Sequence, residues 1–401
     1  MKTEKIKEVV SSRYIERIYP SREKLLNLLK SDRRLNIYFG VDPTGPDLHL
    51  GHVTNFLLGK KFQELGHRII LLIGDFTAQI GDPTGKSKTR KALKKEEVLK
   101  NSQGYKDQIK RILDFDSKKN PIEIKFNNDW LSKLNLGKTI KLMAKATVGQ
   151  MLKREMFKKR IKEQKEIYFH EFLYPLLQGY DSVAMDIDIE IGGNDQTFNM
   201  MVGRDLVKDY LDKEKFVITT KLLINQKTQK KLMSKSKGNY IALNEEPNQM
   251  YGKVMALPDE VILAVFELCT EIPDEEIKKI EKKLKNKKVN PRDIKAELAR
   301  EVVGIYYGEK LAKKAEEEFG RVFREKKTPE KIKEIEVKEK QISILELLVK
   351  MGISSRAEAK RLILQKAVKI NNVLKEDWKE VIEIKKGLII KVGKRRFVKI
   401  I

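Results

Sequence analysis

Residues 38–52 read YFGVDPTGPDLHLGH, and the fold is decided by what they join. Residues 35–40 are a short strand candidate that runs into the turn residues Asp-Pro-Thr-Gly-Pro-Asp. Segment 51–65 then carries Val53, Phe56, Leu57 and Phe62 on one side at helical spacing, with Gly66 as its stop. Residues 67–74 hold the unbroken run IILLIG, which suits a strand buried on both faces. Strand, helix and strand within about forty residues predict a βαβ unit, hence a parallel sheet with a right-handed crossover.

Working outward, 401 residues are too many for one ordinary core, so two or three domains are expected. Residues 90–165 read as a polar, mostly helical insertion with an extended piece near 121–126. A helix through 169–178 leads to MDIDIEI, where isoleucines at 187, 189 and 191 alternate with acids, the pattern of a half-exposed strand. GGNDQ, another helix and a strand near 216–224 follow. The expected boundaries are a Rossmann-like domain over 1–230, then a lysine-rich loop and helical domain over 231–323. Residues 324–340 have almost no apolar content and read as a charged linker. A small α+β module over 341–401 closes the chain.

Composition narrows the function. Lys and Arg number 84 against 58 Asp and Glu, a net charge of +26. A field of that size draws polyanions, nucleic acid above all, although heavy lysine usage alone gives the same total. The N-terminal residues are charged throughout, unlike a signal peptide. The longest apolar runs are far too short to span a bilayer. A single cysteine, Cys269, rules out an internal disulfide and fits a reducing cytosol, so a cytoplasmic location is expected.

The chain has four histidines, and the opening stretch holds two, His49 and His52. A zinc site needs three or four matching ligands, and one distant cysteine with two scattered histidines does not supply them. No resident metal is expected. GDPTGKS at 81–87 resembles a phosphate loop, but its glycines stand one residue out of register, so Walker-type chemistry is set aside. It still offers a glycine turn with the cations Lys86 and Arg90 beside a strand end. In a parallel sheet, ligands bind beyond the carboxyl ends of the strands. His49 and His52 sit at such an end, able to donate to phosphate oxygens, with Gly51 leaving room for a flat ring. MSKS at 233–236 follows a later strand and supplies an ammonium and hydroxyls. That division of labour suits nucleotidyl transfer, in which charge builds on phosphorus oxygens.

The pair of motifs resembles the HIGH and KMSKS signatures of class I aminoacyl-tRNA synthetases. YFGVDPTGPDLHLGH, IGDPTGKSKTR, YPLLQGYD and IGGNDQ occur in the order seen in bacterial tyrosyl-tRNA synthetases, and SRAEAKRLILQKAVKIN is similar to their S4-type RNA-binding domain. The resemblance covers essentially the whole chain. It implies a Rossmann-like catalytic domain, a helical anticodon-side domain and an S4-like tail. It further implies tyrosine activation with Mg-ATP, transfer to tRNA(Tyr), and a homodimer.

Carried over by position, Tyr38 and Asp181 would bond the substrate phenol. Tyr174, Gln178 and Asp82 would hold its ammonium, with Gly40 and Gln196 nearby. Tyr174, Gln178 and Asp181 are spaced to share one helical face. His49, His52, Lys235 and Ser236 would meet the ATP phosphates, and Thr44, Lys86 and Arg90 the departing pyrophosphate. Gly51, Asp42, Gly193, Asp195 and Met233 would line the adenosine, and Asn55 is assigned an adenylate contact. Arg356, Lys360, Arg361 and Lys366 would touch tRNA. Leu232 replaces the first lysine of KMSKS, which leaves Lys230 or Lys231 to substitute, and the turn NQKTQK lacks the family's glycine. No segment calls for an editing domain. The competing readings are a tryptophanyl enzyme, a non-catalytic RNA-binding relative, and an unrelated nucleotidyltransferase.

Overall fold

The computed structural model describes residues 2–84, 93–225, 227–233, 240–286, 289–324, 333–337, 339–393 and 396–401. The chain divides into two compact units: residues 1–245 with 257–306, and residues 246–256 with 307–401.

The first unit is built on a six-stranded sheet. Its strands are β1 (Ile15–Tyr19), β2 (Asn36–Val41), β3 (Arg68–Ile73), β4 (Glu123–Phe126), β5 (Ile189–Gly193) and β6 (Phe216–Thr220), in the order β1-β6-β5-β2-β3-β4. All neighbours are parallel except β1, which runs antiparallel along β6 at one edge. The predicted βαβ unit is β2, helix Val53–Glu64 and β3. A 3₁₀ turn, Leu50–His52, precedes that helix, so the histidines fall on the turn and at the helix start. From β2 the chain steps to β3 and β4 on one side, then returns to lay β5 and β6 on the other. β2 and β5 therefore flank the switch point, where two crossovers part and leave a crevice at the strands' carboxyl ends.

One expectation fails at β5. The alternation of isoleucines with acids suggests a half-exposed strand, but Asp188, Ile189, Glu190 and Ile191 are all buried. The strand lies inside the sheet, and helices Val53–Glu64 and Thr197–Leu211 both pack against it. Its acids are neutralised instead of solvated. Asp188 pairs with Arg33 and with Lys213 at 2.9 Å, and Glu190 pairs with Lys215. The alternation records a charge ladder between parallel neighbours, since Lys213 and Lys215 stand just before β6.

In the second unit, helices Pro247–Met255 and Glu309–Arg324 pack together. A five-stranded sheet joins Val373–Leu374, Val368–Ile370, Ile389–Val392, Arg396–Ile400 and Lys333–Ile335 in that order. Helices Ile344–Lys350 and Arg356–Leu364 contribute Leu347, Leu348, Ala359 and Ile363 to a core shared with Ile390 and Val398 of the sheet. Part of the stretch expected to be linker is thus a strand. Lys333–Ile335 pairs its backbone in parallel with Arg396–Ile400, and Ile335 packs against the core that Val337 joins.

Candidate active site

At the switch point lies a cleft of about 910 Å³. It is lined by Tyr38, Gly40, Asp42 and Thr44 from the end of β2, and by His49, Gly51, His52 and Asn55 from the turn and helix that follow. Asp82, the helix trio Tyr174, Gln178 and Asp181, and Gly193, Asp195, Gln196 and Met233 complete the set expected from sequence. Lys86, Arg90, Lys235 and Ser236 lie outside the described residues. Lys231, one of the two candidates to replace the missing lysine, lines the cleft and forms an ion pair with Asp195.

The histidine end is organised locally. His49 caps the 3₁₀ turn: its Nδ1 accepts from the Gly51 N–H at 3.2 Å, while His52 Nδ1 accepts from the His49 N–H at 3.1 Å. With Nδ1 accepting, the His49 ring carries its proton on Nε2 and can donate through it. His52 Nδ1 lies between the His49 N–H and the His49 O, the latter 3.2 Å away. The two rings stack 3.9 Å apart. A side chain at Gly51 would press on them, since an added Cβ would lie 3.0 Å from His49 Cε1 and 3.5 Å from Met233 Cβ. The segment behind the turn holds it in place: Leu50 N–H donates to Ile241 O, and Leu243 N–H to Leu48 O. Preceding residues are pinned by side chains of the insertion. Tyr105 Oη donates to Gly45 O at 2.6 Å, and Gln108 bonds Leu48 N–H and Pro46 O.

The opposite end is organised over long range. Tyr38 and Asp181 are buried there. The Asp181 carboxylate accepts from Trp130 Nε1 at 2.8 Å and from Asn127 Nδ2 at 3.2 Å. Burial still pushes its carboxyl well above the ordinary range, against those two bonds. Burial likewise raises the Tyr38 hydroxyl, helped by the nearby Glu190 and Asp181 charges. Asn127 also donates to Thr77 Oγ1, Thr77 to Asp42 Oδ1, and Tyr174 Oη to Asp42 Oδ2 at 2.8 Å. One chain of bonds therefore joins the strand end, the helix trio and the insertion.

A second chain runs beside it. Gln196 Nε2 donates to Asp82 Oδ2, and Asn199 Nδ2 bridges Gln196 Oε1 and Gln178 Oε1. Gln178 Nε2 in turn donates to Glu190 Oε1 at 3.1 Å. Thr84, next along from Asp82, accepts from Arg154 Nη2 at 2.8 Å. The Arg154 guanidinium sits 4.5 Å from the centre of the Phe198 ring, and burial pulls its pKa down to about 10 despite Asp82.

Sequence reasoning missed Thr77, Asn127, Trp130, Arg154, Glu190 and Asn199. Asn127 and Trp130 stand in an insertion with no local motif. A signal for Glu190 was present: the last two acids of MDIDIEI, Asp188 and Glu190, match the two lysines of KEKF, Lys213 and Lys215, in spacing.

The four expected RNA contacts lie in the second unit. Arg356, Arg361 and Lys366 are exposed and paired with Glu346, Glu358 and Glu376. Lys360 lies 3.9 Å from the centre of the Trp378 ring. Exposed pairs of this kind are worth little and exchange readily for phosphate. Among the described residues no group of three or more His, Cys, Asp and Glu side chains is placed to hold a metal ion, and no described helix is long and apolar enough to cross a membrane.

The profile of the family described as tRNA synthetases class I (W and Y) matches residues 30–324. The chain is 45% identical over 382 residues to the tyrosine–tRNA ligase of Thermotoga maritima, covering 95% of this chain and 94% of that one. It is 46% identical over 388 residues to the tyrosine–tRNA ligase of Carboxydothermus hydrogenoformans, covering 94% and 93%. Among solved structures, a C-terminally truncated mitochondrial tyrosyl-tRNA synthetase of Aspergillus nidulans superposes with a TM-score of 0.66 at 24% identity, covering 80% of this chain and 94% of that chain. The structural likeness speaks for the fold.

Proposed function

The chain belongs to the class I tRNA synthetases for tryptophan and tyrosine, and from that membership we propose that it is a tyrosine–tRNA ligase. The observation that carries the choice of tyrosine is the polar pair Tyr38 and Asp181 at the buried end of the cleft. A ligand that brings a hydroxyl adds a bond to each group in a dry site, and one that lacks it forgoes both.

In the proposed reaction the tyrosine carboxylate attacks the α-phosphorus of Mg-ATP. The bond to the β-phosphate breaks, giving tyrosyl-adenylate and pyrophosphate. A hydroxyl of the terminal adenosine of tRNA(Tyr) then attacks the tyrosyl carbonyl and releases AMP. No side chain need act as nucleophile, because positioning and charge stabilisation carry such chemistry. Tyr38 and Asp181 bind the phenol, and Tyr174, Gln178 and Asp82 hold the ammonium beside Gly40 and Gln196. His49, through Nε2, and His52 donate to the phosphates, aided by Thr44, Lys86, Arg90, Lys235 and Ser236. Gly51, Asp42, Gly193, Asp195, Met233 and Asn55 surround the adenosine. Lys231 takes the place of the first lysine of the second motif, a role supported by its position in the cleft wall.

We further infer that activation belongs to residues 1–230 with the lysine-rich loop that opens residues 231–323, whose helical part lies on the anticodon side. Residues 341–401 bind tRNA through Arg356, Lys360, Arg361 and Lys366. The protein works in the cytoplasm as a homodimer. A second copy of the chain is supported by an exposed apolar face on the insertion, where Leu136, Ile140 and Val148 are 76%, 56% and 58% exposed.

Amino-acid-dependent ATP–pyrophosphate exchange tests the reading. Exchange with tyrosine is expected; exchange with tryptophan alone, or with no amino acid, would overturn it. Truncation after Arg324 is expected to leave exchange intact and to lower aminoacylation, with a shallower salt dependence of tRNA binding. Unchanged aminoacylation would remove the RNA-binding role from the tail.

A further inference from the structure

Beneath the cleft lies a buried charge that no step of the reaction uses. Lys215 is fully buried, and its ammonium is bonded to Glu190, to Ser182 Oγ at 2.7 Å and to Met200 O at 3.4 Å. The cleft is built around it. A Cβ at Gly203 would come within 2.5 Å of Lys215 Nζ, so that helix position leaves room for the ammonium only as glycine. Burial lowers the Lys215 pKa, with Glu190 opposing the shift. An ionised group in such a place is costly unless fully bonded, and here all three of its hydrogens have acceptors.

The bonds from this pair lead to both ends of the amino-acid pocket. A lysine ammonium only donates, so Ser182 Oγ must accept from it. The serine's single hydrogen then goes to Tyr38 Oη at 3.2 Å, closer than Glu190 Oε2 at 3.4 Å, which Lys215 already occupies. With its oxygen accepting from Ser182, Tyr38 has its own hydrogen for another acceptor. Glu190 is the competing acceptor for that hydrogen, and the donors it receives from Lys215 and from Gln178 Nε2 offset part of its charge and weaken its pull. The bond from Gln178 also sets the amide, with Nε2 on Glu190 and Oε1 turned to Asn199.

We propose that Lys215 and Glu190 are positioning residues that set hydrogen-bond direction in the amino-acid pocket: Lys215, through Ser182, makes Tyr38 a donor to the substrate hydroxyl, and Glu190 orients Gln178 for the substrate ammonium. The proposal rests on the reading of the cleft as a tyrosine site. Removing Lys215 bares the Glu190 carboxylate, which then captures the Tyr38 hydrogen. The hydroxyl of the substrate loses a donor, and tyrosine loses part of its advantage over phenylalanine. Replacing Glu190 by glutamine presents an NH₂ group to Gln178 Nε2, which turns the amide and weakens hold on the amino group for tyrosine and phenylalanine alike.

The test is pyrophosphate exchange with tyrosine and phenylalanine on the full-length chain and on Lys215→Met, Ser182→Ala and Glu190→Gln, with thermal melts of each. Lys215→Met is expected to lower the tyrosine-to-phenylalanine ratio of kcat/KM roughly tenfold or more, the scale of one misdirected hydrogen bond. Ser182→Ala, which cuts the relay and leaves the ion pair in place, is expected to lower the same ratio by a smaller factor. Glu190→Gln is expected to raise KM for both amino acids and leave the ratio within about twofold of the parent. A purely structural role predicts lower melting temperatures with the ratio unchanged in every variant, and that result overturns the proposal. Should Lys215→Met fail to fold, Ser182→Ala decides alone, and an unchanged ratio there is equally fatal. Absence of tyrosine-dependent exchange in the parent chain removes the tyrosine reading itself, and this inference with it.

Discussion

The two ends of the cleft are held by different kinds of bond. At the outer end, the His49 and His52 side chains are aimed by capping bonds between residues two and three apart, while the backbone of their turn is tied to Ile241, Leu243 and Gln108. At the inner end, Tyr38, Asp181 and Glu190 are fixed by partners far along the chain. Asp181 takes Trp130, 51 residues away, and Ser182 reaches Tyr38 across 144. A capping turn forms wherever its few residues allow it, whereas the inner network exists only once sheet, helices and insertion have assembled. The aim of the two imidazoles is thus set locally, and the inner side chains depend on distant partners for theirs.

Substitutions can break this contrast, and the largest effect is expected within. Asp181→Ala removes the acceptor and strands the Trp130 and Asn127 donors. Selectivity for tyrosine over phenylalanine should fall by up to roughly 10⁴, since sites built to bond a hydroxyl reach discrimination of about 10⁴–10⁵, a magnitude established on tyrosine-activating enzymes themselves. Paired kcat/KM measurements check it, and a ratio unchanged within threefold would place the phenol elsewhere.

At the outer end, His49→Ala should slow adenylate formation roughly 10²–10³-fold, the scale of one transition-state donor. Tyrosine affinity should stay near that of the parent. Single-turnover kinetics with equilibrium tyrosine binding separate the two, and equal losses in both would make His49 structural.

Gly203→Ala sharpens the comparison from below. Its Cβ would meet Lys215 Nζ at 2.5 Å and Gly179 Cα at 3.2 Å, so a loss of about 1–3 kcal/mol in unfolding free energy is expected from overpacking. Denaturant melts measure it. Gly51→Ala should act the other way: stability is little changed, while KM for ATP rises roughly tenfold, equivalent to about 1.4 kcal/mol of lost contact. A comparable rise in KM for tyrosine would show that the two ends are not independent.

The smallest effect concerns Cys269, packed behind the histidine turn with its thiol directed at Leu50 O. Burial pushes its pKa from an ordinary 9.0 up to about 12. Because the folded value is the higher one, this group's contribution to stability is complete below about pH 9 and is lost as the pH rises toward about 12. A thiol reagent at pH 8 should therefore find no reactive cysteine in the native chain and one after unfolding. Rapid labelling of native protein would show that the outer end opens.

Much of this was legible in sequence because it is local. The βαβ unit followed from apolar runs separated by turn residues, and the helix spacing of Tyr174, Gln178 and Asp181 placed all three on one wall of the cleft. The histidine pair could be placed at a strand end because the turn residues and the helical spacing that flank it are local. The β5 strand misled because alternation with acids means solvent only if nothing answers the charge, and Lys213 and Lys215 answer it from the residues just before β6. The charged stretch before residue 340 misled for a related reason: a strand of low apolar content can be recruited by backbone pairing with a few apolar anchors, here Ile335 and Val337.

By itself, then, the sequence determined the parallel-sheet class, the family and the place of the histidine pair at a strand end, since periodicity, turn residues and motif order are properties of neighbouring residues. Only the tertiary structure decided that Trp130 and Asn127 hold Asp181, that Lys231 lines the cleft, and that Lys215 lies beneath the pocket on Glu190. Those residues acquire their roles from partners brought close by the crossovers of the sheet, and such proximity is a product of folding rather than of spacing along the chain.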